Sequence, residues 1–319
     1  MPLLQEIADA HRRLRGKVLR TPLVRSRWLS GAVDGEVWLK LESEQHTGSF
    51  KARGALNKLL WLREQGVDAL PVTASTGNHG QGFARALHLL GMEGKVFLPR
   101  GADESKAEAI SSWGAVLEYY AEDPYETEVH TRQLAEEKGW VYVSPYNDLQ
   151  VVAGQGTIAA EIWEQGPAPD TILATVGGGG LISGLACHAR DRDPEVRILG
   201  AQPENSPEMA VSVRAPANTG RWNPAPPSPT GSAGGFERNA ITFDYCRNYV
   251  DQFILVPENE IEEGIRGMIA RHHKLVEGSA AVAVAALLRE PERFAGRTTA
   301  VVICGANIAT EKLKKVICG

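Results

Sequence analysis

The sequence predicts an α/β protein of two lobes, each an open, mostly parallel sheet covered by helices. Three observations carry that expectation. Short apolar runs alternate with longer amphipathic stretches from Val37 to Ala201 and resume at Ala300, as strand–helix units of a parallel sheet do. At 319 residues the chain exceeds the length that one hydrophobic core usually serves. Glycine-bearing junctions, Ser75 to Gly82 and Gly177 to Gly180, each join an apolar run to a helical one.

The spacing of Leu3, Leu4, Ile7, Ala8 and Leu14 predicts a helix over 3–14. Arg20-Thr21-Pro22-Leu23 ends it, because the residue before a proline avoids helical angles. A strand over 37–41 leads to a helix that runs through Leu60, with Gly48 allowing a tight turn and Ser49 as N-cap. Strands over 72–75, 94–99, 115–119 and 140–143 alternate with helices over 80–90, 105–113 and 125–138. A second series reads helix 153–164, strand 171–176, helix 181–190, strand 196–201 and a last strand 300–304. The run 215–236, rich in Pro, Gly, Ser and Asn, has the composition of a loop or flap.

Hydrophobic content of 43% and charged content of 23% describe an ordinary globular chain. A net charge of −5 and a pI near 6.0 leave no electrostatic footprint for nucleic acid. The basic run His11-Arg12-Arg13-Leu14-Arg15 reads as the solvated face of the first helix. The four cysteines lack CxxC spacing, so neither disulfides nor structural zinc are expected. No run reaches the ~20 apolar residues that cross a bilayer. Glu6 and Asp9 interrupt the amino terminus where an export signal would be apolar, and a cytoplasmic protein without a membrane partner is expected.

Five places carry chemistry. Lys51 falls in the first turn of its helix, where the positive end of the dipole disfavours an ammonium. That position suits an amine meant to be neutral and nucleophilic, although a solvated surface lysine fits this stretch alone equally well. Successive N–H groups along Ser75-Thr76-Gly77-Asn78-His79 form an anion site at a strand-to-helix junction; a plain turn with a left-handed Asn is the alternative. Gly177-Gly178-Gly179-Gly180, followed by Leu181, lets the backbone wrap a phosphate. It lacks the Lys-Ser/Thr of a triphosphate loop and misses the G-x-G-x-x-G register. Val302-Ile303-Cys304-Gly305-Ala306-Asn307 lies at the end of the last strand, where ligands of open α/β sheets gather. Glu277-Gly278-Ser279-Ala280-Ala281 opens a helix.

Ser49-Phe50-Lys51-Ala52-Arg53-Gly54-Ala55 resembles the cofactor-attachment motif of the serine/threonine dehydratase family, which includes serine racemase and belongs to the fold type II, tryptophan-synthase-beta-like enzymes of pyridoxal 5'-phosphate. Four motifs follow in that family's order, and the likeness spans nearly the whole chain. The resemblance implies a large cofactor-binding domain over 1–45 and 148–319 and a small substrate-closing domain over 46–147. It implies that Lys51 holds the cofactor as a Schiff base and is the catalytic base, with Phe50 packed on the pyridine ring and Asn78 on the ring hydroxyl. Gly177, Gly178, Gly179, Gly180 and Leu181 would hold the phosphate, and Cys304 would face the pyridine nitrogen. Ser75, Thr76, Gly77, Asn78 and His79 would cradle the substrate carboxylate, and Glu277 would lie near the cofactor. A homodimer that releases a 2-oxo acid and ammonia from a β-hydroxy-α-amino acid is implied.

Departures from the family pattern limit the transfer. Thr76 stands where racemases carry a serine, which puts racemisation in doubt. Of the positions matching the family's metal site, Gln202, Ser206 and Glu208, the first lacks the charge a hard cation prefers, so no firm metal site is expected. The sequence holds no segment after Cys304 long enough for a regulatory domain, and isoleucine feedback is not expected. Tyr146, Asn147 and residues 234–238 are the expected side-chain pocket, with Arg238 or His46 as partners for the second carboxylate of 3-hydroxyaspartate; an aromatic β-hydroxy acid is a further alternative. A nicotinamide dehydrogenase competes on Gly154-Gln155-Gly156-Thr157-Ile158-Ala159, which matches G-x-G-x-x-A but has no strand directly before it and no acid about 20 residues on. A degenerate member that only binds its ligand would have lost Lys51 or the glycines, and both are present.

Overall fold

The computed structural model describes residues 2–214, 237 and 239–318. The first elements are α1 (Pro2–Leu14), β1 (Leu23–Arg25), α2 (Arg27–Val33), β2 (Glu36–Lys40), α3 (Lys51–Glu64), β3 (Pro71–Ala74) and α4 (Asn78–Leu90). Then come β4 (Lys95–Leu98), α5 (Glu104–Ser111), β5 (Val116–Tyr119), α6 (Pro124–Lys138), β6 (Val141–Tyr142) and α7 (Leu149–Gln165). The chain continues through β7 (Thr171–Thr175), α8 (Gly180–Arg192), β8 (Arg197–Pro203), α9 (Glu208–Arg214), α10 (Ile241–Tyr249) and β9 (Gln252–Val256). It closes with α11 (Glu258–His272), α12 (Gly278–Arg289), β10 (Thr298–Val302) and α13 (Thr310–Cys318).

Two sheets organise these elements. One has the order β1-β2-β10-β7-β8-β9, parallel except for β1, which pairs antiparallel with β2. The other has the order β5-β4-β3-β6 and is parallel throughout. Strands of the first sheet are buried on both faces, as β7 shows at every residue, because helices cover each side. The expected α/β class with mostly parallel sheets is the observed one. The run 215–236 and Arg238, expected to form a flap, lie outside the described residues.

Several ends differ from the sequence reading for local reasons. Helix α7 begins at Leu149, not 153, because Asp148 caps it by accepting from Gln150 N–H at 2.8 Å and Val151 N–H at 3.0 Å. Ser26 likewise caps α2, an element the apolar pattern did not reveal, accepting from Leu29 N–H at 3.0 Å. The G-x-G-x-x-A run lies inside α7 and forms no dinucleotide loop. Its glycines admit neighbouring helices: a Cβ at Gly154 would stand 2.7 Å from Gly54 Cα, and one at Gly156 would stand 3.0 Å from Gly184 O. Helices α3, α7 and α8 therefore cross at backbone contact.

A buried charge cluster fastens α3 to this frame. Arg53 donates to both oxygens of Glu42 at 2.8 Å and of Glu161 at 2.6 and 2.9 Å. Lys40 donates to Glu161 at 2.6 Å and to Thr21 O at 2.7 Å. Two cations meet two carboxylates with their hydrogen bonds satisfied, the condition under which buried charge is tolerated. Burial alone would raise the Glu161 pKa, but Arg53 and Lys40 more than offset it and hold the carboxyl below its ordinary value.

Arg53→Met would leave the buried Glu42 carboxylate without its cation and Glu161 with Lys40 alone, and urea unfolding should show a loss of about 3–5 kcal/mol. A loss below ~1 kcal/mol would mean that the cluster does not anchor α3. Because the Glu161 pKa is depressed by folding, its contribution is present above the unfolded pKa and lost as pH falls through the folded one. The wild type should therefore weaken on acidification through the carboxylate range more steeply than Arg53→Met.

Candidate active site

A cavity of about 420 Å³ opens between the carboxyl ends of the two sheets. Lys51 enters it from the first residue of α3. The turn before it is held by the strap after β10: Phe50 N–H donates to Cys304 O at 3.1 Å, and Ala306 N–H to Gly48 O at 2.8 Å. Asn307 Nδ2 donates to Thr47 O at 2.8 Å. Gly48 has φ +66°, and a Cβ there would lie 2.8 Å from Asn307 Oδ1, so only glycine fits. Ser49 is not the N-cap the sequence suggested. The strap draws it into a bridge with Gly305, Phe50 takes the cap position, and the buried Ser49 hydroxyl is left without a partner.

The Lys51 ammonium donates to Pro145 O at 2.7 Å and lies 5.1 Å from the centre of the Phe50 ring. Burial lowers its pKa to about 8, against the opposing pull of Cys304 and Glu277. Cys304 is 3% exposed, and burial holds its thiol neutral, well above its ordinary pKa. Burial also raises Glu277 to about 7, although the Asn78 amide and Lys51 favour its charged form. Asn78 Nδ2 donates to Glu277 at 2.8 and 3.1 Å, and Asn78 Oδ1 accepts from Asn307 Nδ2 at 2.6 Å.

Two helix amino ends face this lysine. Helix α4 starts at Asn78 with Gly77 at its cap and no side-chain acceptor there, leaving first-turn N–H groups free for an anion. Gly80 admits no side chain, since a Cβ would collide with Ser75 O. His79 Nε2 contacts Val143 O at 3.0 Å, and burial with nearby Lys51 lowers the imidazole to about 3, so it is neutral. A neutral ring that donates from Nε2 offers a carboxylate no side-chain proton, and only the His79 backbone N–H serves an anion. Helix α8 starts at Gly180, after Gly179 at φ +83°. The Tyr146 ring fills the space beside this turn: a Cβ at Gly178 would lie 2.5 Å from it. Thr242 Oγ1 donates to Gly178 O at 2.7 Å.

Phe50, Lys51, Ser75, Thr76, Gly77, Asn78, His79, the four glycines, Leu181, Glu277 and Cys304 thus line one cavity. Of the expected side-chain pocket, Tyr146 lines it, whereas Asn147 turns away to donate to Glu237 at 2.8 Å. His46 does not line it, and Arg238 and residues 234–236 lie outside the described residues. Gln202, Ser206 and Glu208 meet elsewhere and satisfy one another: Ser206 Oγ donates to Glu208 at 2.8 Å, and Gln202 Oε1 accepts from Ala210 N–H at 2.7 Å. Among the described residues no three His, Cys, Asp or Glu side chains gather to hold a metal. Sequence reasoning missed the wall formed by Phe97, Lys106, Thr127 and Glu128. The Asp123-Pro124 helix start was legible, but no pattern tells which helical face meets a ligand.

A family model described as "Pyridoxal-phosphate dependent enzyme" matches residues 14–305. The L-threonine ammonia-lyase of Thermotoga maritima is 38% identical over 99% of this chain and 78% of its own length. The catabolic L-threonine dehydratase TdcB of Escherichia coli is 34% identical over 98% of this chain and 95% of its own. The processed threonine deaminase isoform 2 of Solanum lycopersicum superposes with a TM-score of 0.91 at 29% identity, covering 99% of this chain and 92% of that one. The cavity suits pyridoxal phosphate on its own chemistry. It offers an amine for the aldehyde, an aromatic face, a helix amino end bare of side chains for the phosphate, and a neutral thiol.

Covalent trapping of Lys51 by an amine-directed reagent should rise with pH around a midpoint near 8, because only the neutral amine reacts. A midpoint near that of a free lysine, about 10.4, would contradict this reading of the site. Gly178→Ala should weaken cofactor binding at least about tenfold, as the added methyl meets the Tyr146 ring. Adding Tyr146→Ala should recover part of that loss in a titration with pyridoxal phosphate.

Proposed function

The chain belongs to the pyridoxal-phosphate-dependent enzyme family, and from that membership we infer that it is an ammonia-lyase that converts a β-hydroxy-α-amino acid such as L-threonine or L-serine to a 2-oxo acid and ammonia. The observation that carries this reading is the position of Lys51, an amine of lowered pKa between the amino ends of α4 and α8. Identity of 34–38% over 98–99% of this chain to an L-threonine ammonia-lyase and a catabolic L-threonine dehydratase supports the substrate class.

When bound, the cofactor supplies an electron sink for the carbon that loses its proton. The chain's residues do the rest. The N–H groups of Asn78 and His79 in the first turn of α4 orient the substrate carboxylate, and those opening α8 receive the phosphate. Lys51, as a neutral amine, takes the α-proton. The β-hydroxyl then leaves as water, taking up the proton that Lys51 removed, and the released enamine reacts with water to give the 2-oxo acid and ammonia. The Cys304 thiol stays neutral and donates only weakly, so nothing at this position supplies the charge that would prolong a carbanion. Prompt loss of the β-substituent is favoured instead. We assign residues 1–45 and 148–319 to cofactor binding and 46–147 to closure on substrate. We take the working form to be a cytoplasmic homodimer, on the likeness to the dehydratases together with the absence, among the described residues, of a helix long and apolar enough to cross a membrane.

The purified protein should absorb near ~410–420 nm once loaded with pyridoxal phosphate. Lys51→Ala should abolish that band and the release of 2-oxo acid from L-threonine or L-serine. A loaded protein that shows the band but releases no 2-oxo acid from either substrate would overturn the lyase assignment while leaving the cofactor in place.

A further inference from the structure

One wall of the cavity is built by the smaller sheet and its helices, through Ala74, Phe97, Pro99, Thr127 and Glu128. Thr127 offers a ligand no free hydroxyl proton, because its Oγ1 donates to Tyr120 O at 2.5 Å. Glu128 is different. Its carboxylate accepts from Arg132 at 2.7 Å, one turn along α6, and its side chain is 29% exposed. Arg132 is shared: it also donates to both oxygens of Glu237, at 2.9 and 2.5 Å. The same guanidinium packs 4.3 Å from the centre of the Tyr142 ring. Glu237 is tied to the cavity through its backbone N–H, which donates to the Tyr146 hydroxyl at 3.0 Å.

Among the described residues, two carboxylates on one guanidinium leave a surplus of one negative charge on this wall. The effect is visible at Tyr146. Burial raises its phenol pKa, Glu237 and Glu128 raise it further, and Arg132 opposes them. Lys106 also reaches the cavity, but from an exposed position on α5 at its mouth, where solvent screens it.

We propose that the Glu128–Arg132–Glu237 cluster sets side-chain selectivity in this cavity, excluding amino acids with an anionic side chain and admitting those with an uncharged one. The α-carboxylate has its own place at the amino end of α4, so a second carboxylate is left to the part of the cavity that Glu128 lines, where like charge repels it. This rests on the site assignment above and narrows its substrates: threonine and serine are admitted, and 3-hydroxyaspartate is refused.

The test compares L-2-aminobutyrate with L-aspartate, which differ in side-chain charge and carry no β-hydroxyl to eliminate. Binding to the cofactor-loaded enzyme is measured by calorimetry. The wild type should prefer L-2-aminobutyrate. Glu128→Gln brings the cluster to neutrality and should shift the ratio of dissociation constants toward L-aspartate by about tenfold. Glu237→Gln should shift it the same way. Arg132→Gln leaves two negative charges and should shift it in the opposite direction. A general loss of packing would weaken both ligands alike and leave the ratio unmoved. Equal affinity of the wild type for both ligands, or shifts that do not change sign between Glu128→Gln and Arg132→Gln, would overturn the proposal. Turnover of L-threonine and 3-hydroxyaspartate is read in parallel. Discrimination in binding without turnover of either would defeat the lyase assignment and leave the selectivity cluster standing.

Discussion

The site depends on one buried interaction, the guanidinium of Arg53 held between Glu42 and Glu161. Arg53 stands two residues after Lys51 on the same helix, so its anchorage fixes both the rotation and the axial position of α3. Glu42 follows the strand β2, and Glu161 lies on α7. The pairing thus ties the lysine's helix to the larger sheet and to the helix that covers it. A fully desolvated ion cluster is weak evidence for stability, since apolar replacements often serve as well. Its value here is geometric, because four hydrogen bonds donated by Arg53 to the two carboxylates permit one placement of α3.

Close helix packing cooperates with that anchor. Gly54 and Gly154 let α3 and α7 touch backbone to backbone, and Gly156 and Gly184 do the same for α7 and α8. Helix α8 carries the glycine turn at its amino end, so its contact with α7 sets the turn at a fixed distance from Lys51. Tyr146 completes the arrangement by filling the room that Gly178 and Gly180 leave. The residue before it, Pro145, offers its carbonyl to the lysine. Glycines that read as phosphate or dinucleotide signals in sequence therefore divide into two kinds, those that face a ligand and those that let helices meet.

Much of this was legible in the sequence, and the limits have physical causes. Alternating apolar runs revealed β2 to β8, because each is short, β-rich and bounded by glycine or proline, whereas β1, only three residues long, escaped. Lys51, the junction at Ser75 to His79 and the tetraglycine were legible for a different reason: each needs unusual backbone freedom or sits at a strand end. What escaped was determined by tertiary contact. The start of α12 at Glu277 was legible, but its extent was not, because it is buried through Leu287 with no polar face to mark its period, and β9 and α11 followed a stretch of loop composition. Ser49 looked like a cap until the strap after β10 claimed its backbone. Glu128 and Arg132 form an ordinary i, i+4 pair on a polar helix, and nothing local shows that Glu237 shares the arginine from 105 residues away.

The handling of charge explains why this lysine is free to act. Anionic groups are received at the amino ends of α4 and α8, whose N–H groups carry partial charge but no titratable proton. Cationic side chains, which would perform the same task, would also compete with the amine for protons and shift its pKa further. Among the described residues that line the cavity, Lys51 and Lys106 are the cations, and Lys106 sits exposed at the mouth. The neighbours of Lys51 are held neutral or nearly so: Cys304 by burial, His79 by burial and the nearby Lys51 charge, and Glu277 at about 7. Around pH 7 to 8, then, the groups that change protonation in this cavity are Lys51 and Glu277, and only Lys51 is a base strong enough to take a carbon-bound proton. Backbone dipoles bind the anions, buried neutral groups surround the reacting centre, and the proton chemistry is concentrated on one amine.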